Sequence, residues 1–233
     1  MKLLNAGLFL VVFLAAGSTY GQANIYVSPR GDDKNDGKTA KMPLRTIQHA
    51  LDLARPGTVI RLEQGIYRET LTTKISGTEA APIVVRGDDA AKVKAKRSKT
   101  VLYGTGRILN IDHSYYRFEG FAIDGQEALA GKEYPTDPAK VTTFKDANRE
   151  VIKDSKLIYI GSDDATRNLT GIKITNMYLR GAGGECVRMR NAAHHNEVSD
   201  SVIEYCGMFA KDRGSDSFRY HKGEALYPPT TPN

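Results

Sequence analysis

From Val59 onward the apolar residues of this chain arrive in short runs, each bounded by Gly, Asn, Asp or Ser. The runs are Val59-Ile60-Arg61-Leu62, Ile83-Val84-Val85-Arg86, Ile108-Leu109-Asn110-Ile111 and Tyr116 to Ile123. Leu157-Ile158-Tyr159-Ile160, Gly171-Ile172-Lys173-Ile174, Cys186-Val187-Arg188-Met189 and Val202-Ile203-Glu204-Tyr205 follow. They are rich in β-branched residues and have no helical periodicity between them, so each predicts a short strand. Ahead of them the pattern differs. Ile25-Tyr26-Val27 predicts a strand, and Ser28 to Thr39 is a polar loop bearing glycine. In Pro43 to Ala54 the apolar residues Leu44, Ile47, Leu51 and Ala54 recur at spacings of three and four. That spacing predicts one amphipathic helix, with Pro43 in its first turn and Pro56-Gly57 ending it.

The spacing of the strands selects the architecture. Ile158 to Val187 is 29 positions and Ile174 to Ile203 is again 29, while Gly184-Glu185-Cys186-Val187 returns as Gly223-Glu224-Ala225-Leu226 after 39. Repeats of that size with several strands each indicate a solenoid, here a parallel β-helix. An immunoglobulin-type sandwich is the alternative, but it predicts hairpin turns and no common offset. A solenoid end must be covered, and the helix at 43–54 stands where an N-terminal cap is needed. The polar stretch at about 126–155, with Pro135 and Pro138, interrupts the coils as an insertion, either a loop on one face or a surface excursion. Pro228, Pro229 and Pro232 form a tail at 228–233 that cannot continue a central strand.

The first 23 residues carry one positive charge at Lys2, the apolar run Leu8 to Ala16, and small residues leading to Ala23. They predict a secretory signal peptide cleaved near Ala23, since the run is too short to span a bilayer. The β-helix domain then covers 24–227. The formal net charge is +6 with the basic residues dispersed. No nucleic-acid-binding motif accompanies it, so an exported monomer facing acidic polysaccharide is the expected partner relation. Two cysteines, Cys186 and Cys206, permit one disulfide in an oxidising compartment. Asn168-Leu169-Thr170 is a glycosylation acceptor triplet.

Tyr26-Val27-Ser28, Asn35-Asp36-Gly37, Pro43-Leu44-Arg45-Thr46-Ile47-Gln48-His49-Ala50 and Pro56-Gly57 together resemble the entry of secreted right-handed parallel β-helix proteins of the family 9 pectate lyase type. Gly65-Ile66-Tyr67-Arg68-Glu69 is similar to the turn after their first coil strand. Gly183 to Arg188, with Ala193-His194-His195-Asn196-Glu197 and Tyr205-Cys206-Gly207, is similar to a later coil. The resemblance implies a right-handed β-helix and β-elimination of a uronate glycan, assisted by calcium and a basic residue. It also implies that the family's calcium aspartates and lysine base lie on coils beyond Tyr227. The expectation is therefore little or no lyase turnover, with glycan binding retained. A non-catalytic glycan-binding or surface protein, or a truncated product, are the competing readings.

Candidate residues follow from that chemistry. Arg188 and Arg190 alternate with Val187 and Met189, which puts both guanidinium groups on one outer strand face, suited to sugar carboxylates. Asp124, Asp163 and Asp164 follow strands, as Asp200 precedes one, and are candidate calcium ligands if they gather on adjacent coils. His194-His195 is read as unable to share one metal, because neighbours on a strand point oppositely. Asn110, Asn176, Asn191 and Asn196 are expected to form a ladder inside turns.

Overall fold

The computed structural model describes residues 23–87, 98–125, 137, 139–140, 143–144, 146–148, 155–162, 164, 166–190, 192–207 and 226–227. The signal-peptide reading, Asp163, Asn191 and the proline tail lie outside them.

Three parallel sheets wrap one core. Sheet A contains β1 (Asn24–Val27), β2 (Val59–Leu62), β5 (Ile83–Gly87), β8 (Tyr116–Glu119), β11 (Lys173–Thr175) and β14 (Glu197–Ser199). Sheet B contains β3 (Gly65–Arg68), β6 (Thr100–Tyr103), β9 (Ala122–Asp124), β12 (Tyr178–Arg180) and β15 (Val202–Glu204). Sheet C contains β4 (Leu71–Thr72), β7 (Arg107–Ile111), β10 (Lys156–Ile160), β13 (Val187–Met189) and β16 (Leu226–Tyr227). The chain visits A, B and C in turn, so every coil adds one strand to each sheet. This is a right-handed parallel β-helix, the hand that right-twisted strands impose on parallel crossovers.

Inward residues stack in apolar rows along the axis. Ile25, Ile60, Val85, Phe118, Ile174 and Val198 are consecutive register partners in sheet A. Tyr67, Leu102, Ile123, Leu179 and Ile203 do the same in sheet B. Sheet C stacks Leu71, Leu109, Ile158 and Val187. Most of these side chains are fully buried, and their stacking removes apolar surface from water coil by coil.

Register separates the spacings that carry information from the one that does not. Ile158 pairs with Val187, and Val187 with Leu226, so those two offsets are true coil repeats. Ile174 does not pair with Ile203. It lies in sheet A opposite Val198, and Ile203 lies in sheet B opposite Leu179. Their common offset is coincidence.

The sharp corners need backbone that few side chains favour. Tyr115, Gly171 and His195 form one column of left-handed residues before sheet A, with φ of 59°, 69° and 53°. Gly120, Asn176 and Asp200 form a second column between A and B, at 75°, 53° and 50°. Gly120 divides the run Tyr116 to Ile123, read as one strand, into β8 and β9 in different sheets. At Gly171 an added Cβ would also stand 2.5 Å from the ring of Tyr115, so that corner requires glycine on two grounds.

The cap helix α1 spans Ile47–Leu53, shorter than the predicted 43–54. Leu44 instead forms a parallel bridge with Val27, and Thr46 is the N-cap. The helix start is fully satisfied. Asp33 accepts from the backbone N–H groups of Arg45 and Thr46 at 2.8 and 2.9 Å. Glu69 accepts from Ile47 and Gln48 at 2.9 Å each, and the Thr46 hydroxyl from His49 at 3.2 Å. Ile47, Ala50 and Leu51 are buried against β1, β2 and β4.

Gly65-Ile66-Tyr67-Arg68 is strand β3, not the turn it resembles. Its Tyr67 faces inward and donates to the Glu63 and Val27 carbonyls at 2.8 and 3.1 Å. Within the insertion, the described positions 139–140, 143–144 and 146–148 have helical backbone. Asn148 there is buried and donates to the Phe144 carbonyl at 2.7 Å.

Candidate functional site: a basic strip on sheet C

The outer face of sheet C collects cations from three successive coils. Arg107 on β7 is in register with Lys156 on β10, and Tyr159 on β10 with Arg188 on β13. Arg190 immediately follows β13. Alternation turns Tyr159, Arg188 and Arg190 outward while Leu109, Ile158 and Val187 point into the core; Arg107 and Lys156 open their strands at the corner and join that face through the Tyr159 ring and Glu185.

Each cation has a different setting. The Arg107 guanidinium lies over the Tyr159 ring, 4.0 Å from its centroid, so this outward tyrosine is only 4% exposed. Arg188 donates from Nη1 to Glu185 Oε1 at 2.5 Å, and Lys156 Nζ stands 3.9 Å from Glu185 Oε2. The Glu185 side chain is 2% exposed, against 17% for Lys156 and 21% for Arg188. A buried carboxylate thus draws two cations together at the root of the strip, which compensates its own desolvation. Arg190 is exposed, and its guanidinium makes no ion pair among the described residues. Gly161 leaves room beside it: an added Cβ would lie 3.0 Å from the Tyr159 ring and 3.3 Å from Arg190 Cβ.

The two edges of the strip are fastened. On the sheet B side, Cys186 and Cys206 form a disulfide with Cα atoms 5.3 Å apart. It links successive coils at the corner from B to C, rather than neighbouring strands of one coil. Ser155 reinforces that corner, its hydroxyl accepting from Gly183 N–H at 2.7 Å. The long connections β9–β10 and β15–β16 both leave from this corner. On the sheet A side, the Thr73 hydroxyl donates to Asp112 Oδ1 at 2.8 Å. His113 Nδ1 stands 2.8 Å from the same oxygen.

The candidate metal ligands do not come together. Asp124 ends β9 on the outer face of sheet B, in register with Arg180, which is in turn in register with Glu204. That face is a ladder of alternating charge. Tyr178 donates its hydroxyl to Glu204, and desolvation, then that hydrogen bond, push the phenol upward. Asp164 lies between β10 and β11, accepting from Thr166 N–H at 3.0 Å and its hydroxyl at 2.6 Å. Those bonds hold its carboxyl below the usual carboxylate range. Asp200 is a corner residue. Turn and ladder chemistry thus explains these acids, and no group of three or more candidate metal ligands occurs among the described residues.

Two further readings change. His194 and His195 are not on a strand. The left-handed His195 turns its ring back, and the two Nδ1 atoms stand 2.7 Å apart. The asparagine ladder is absent among the described residues: Asn110 is on β7, Asn176 is a corner residue, and Asn196 bridges Leu169 and Ile172. Asn168 is exposed, while its carbonyl accepts from Ser114 Oγ at 3.1 Å.

Sequence reasoning missed Arg107, Lys156 and Glu185. Each stands beside an apolar run, and only the stacking of Arg107 on Tyr159 and the ion pairs at Glu185 show that they gather with Arg188.

Comparison with known proteins agrees with this architecture. A family model described as a protein of unknown function, DUF1565, matches residues 29–214. The chain belongs to the DUF1565 family. It is 41% identical over 91 residues to the uncharacterized protein YwoF of Bacillus subtilis, covering 36% of this chain and 19% of that protein. It is 42% identical over 84 residues to the pectate lyase PEL9 of Emericella nidulans, covering 35% and 20%. The chain therefore spans about a fifth of these curated relatives. Among solved structures, pectate lyase Pel9A superposes with a TM-score of 0.52 at 17% identity, over 77% of this chain and 39% of that one. A GH136 lacto-N-biosidase from Eubacterium ramulus gives 0.52 at 18%, over 76% and 33%. At such identity the likeness is one of fold.

Proposed function

We propose that this DUF1565 member is an exported, pectate-lyase-like β-helix protein that engages acidic polysaccharide of the uronate class along the outer face of sheet C. The observation that carries the reading is the gathering of Arg107, Lys156, Arg188 and Arg190 from three coils on one side of sheet C, two of them held by the buried Glu185 and one stacked on Tyr159. Guanidinium groups present planar donor forks that match carboxylates, and Arg107 is already oriented by Tyr159. The relative named as a pectate lyase supports the same substrate class. Export accords with the paired cysteines, and no helix among the described residues is long and apolar enough to cross a membrane. Cleavage after Ala23 would leave β1 intact, since it begins at Asn24.

The reading is one of binding. Among the described residues no paired carboxylates face the strip, so β-elimination lacks a metal-assisted enolate site there. Calorimetric titration with polygalacturonate and an uncharged glucan, with absorbance followed for unsaturated product, tests both halves. The expected result is saturable binding of the polyuronate alone, weakened by salt, with product no faster than in a protein-free control. Equal affinity for the neutral glucan would refute the binding assignment, and calcium-dependent product release would refute the non-catalytic one.

A further inference from the structure

The histidine pair at the corner between sheets C and A is built in a way its sequence does not suggest. Adjacent side chains normally diverge. Here φ of 53° at His195 folds its imidazole onto that of His194, with ring centroids 4.8 Å apart and edge to face. The Nδ1 atoms face each other at 2.7 Å on an exposed surface. A non-glycine residue in this region is strained, so the surrounding frame must hold it. His194 N–H donates to the Leu169 carbonyl at 3.0 Å, and Gly171 N–H to the His195 carbonyl at 3.3 Å. Asn196 pins the turn from the other side, donating to Leu169 O at 3.1 Å and accepting from Ile172 N–H at 2.9 Å.

In the metal-free protein, two lone pairs at this distance would repel, so one ring donates Nδ1–H to the other. If that ring carries its proton on Nε2 instead, both Nδ1 lone pairs point at one location. We infer that His194 and His195 form a two-histidine site for a borderline transition-metal ion, zinc or copper(II), with its remaining positions open to solvent or an added ligand. The imidazole donors select this class over calcium, which takes oxygen. With Zn–N bonds of about 2.0–2.1 Å and tetrahedral angles, the nitrogens would stand about 3.3 Å apart. That is about 0.6 Å wider than the observed 2.7 Å, an opening within reach of rotation about the two side-chain torsions. The site lies off the sheet C strip and is independent of the glycan reading.

The test is calorimetric titration of the full exported protein with zinc chloride, copper(II) chloride and calcium chloride in separate runs. Cobalt(II) visible absorption would report the ligand set. His195→Asn preserves the turn, because asparagine adopts left-handed backbone readily, and a matching melting curve would establish that it folds. His194→Ala removes the other donor. Expected are one equivalent of zinc or copper bound, at least tenfold weaker binding in either variant, and no calcium heat removed by them. Absence of zinc and copper binding, or binding unchanged in both variants and therefore held by His49, His113 or His221, would overturn the assignment.

Discussion

Glu185 shows what a single side chain can determine on this scaffold. It is buried at the edge of β13 and holds Arg188 and Lys156 by charge. Glu185→Gln leaves both cations without their carboxylate, so the protein should lose about 1–3 kcal/mol in denaturant titration. Affinity for a polyuronate should rise in the same variant, since a negative charge is removed from beside the two cations. A stability loss with weaker binding would mean that the pair positions the strip instead. Asp33 offers a pH test. Its slight burial raises the carboxyl, but hydrogen bonds from Thr46 and Arg45 outweigh that and hold it below 3.8. A depressed carboxyl contributes stability above its unfolded pKa and loses it as the pH falls through the folded one. Between pH 5 and 3 the melting temperature should therefore fall more steeply for the wild type than for Asp33→Asn. The outward direction of Arg188 was legible from alternation alone. Its partner was not, because Glu185 precedes the strand and reaches it from the corner. The histidine pair was misread because alternation was applied to a residue whose φ is positive.

At the level of elements, long signals were legible and short ones were not. The cap helix announced itself by spacing, yet its start was placed four residues early, because Thr46 with Asp33 supplies the cap and Leu44 is drawn into a bridge with Val27. Strands such as β12 and β14 have three residues and one inward side chain each, too little for any pattern. Leu51 is fully buried beneath the first coil, so Leu51→Ala should cost about 2–5 kcal/mol in denaturant titration; a near-neutral result would mean that the helix does not cap the core. The disulfide closes a segment 20 residues apart between successive coils. Cys206→Ala should lower stability by about 2–4 kcal/mol, measured under oxidising conditions. No difference from the wild type would show that the corner is fastened by Ser155 and the backbone.

The whole molecule is a stack in which each coil contributes one strand to each of three faces, and the faces differ in charge pattern. Sheet B alternates acid and base along Asp124, Arg180 and Glu204. Sheet A also carries more bases than acids, but Arg86 is paired with Glu119, Lys173 with Glu197, and Arg61 donates to Asn24. On sheet C the bases outnumber the acids. The architecture was readable because Ile158, Val187 and Leu226 mark one row. The distribution of charge among faces was not, because corner connections of unequal length shift the register between coils. The central claim is that acidic glycan binds sheet C locally rather than responding to net charge. Titrating polygalacturonate into Arg107→Ala/Arg188→Ala/Arg190→Ala, beside a sheet A control Arg61→Ala/Arg117→Ala/Lys173→Ala with the same charge removed, tests it most directly. At least a tenfold loss of affinity is expected in the sheet C variant, about 1.4 kcal/mol or more, and less than a threefold loss in the control. Equal losses in the two would contradict it.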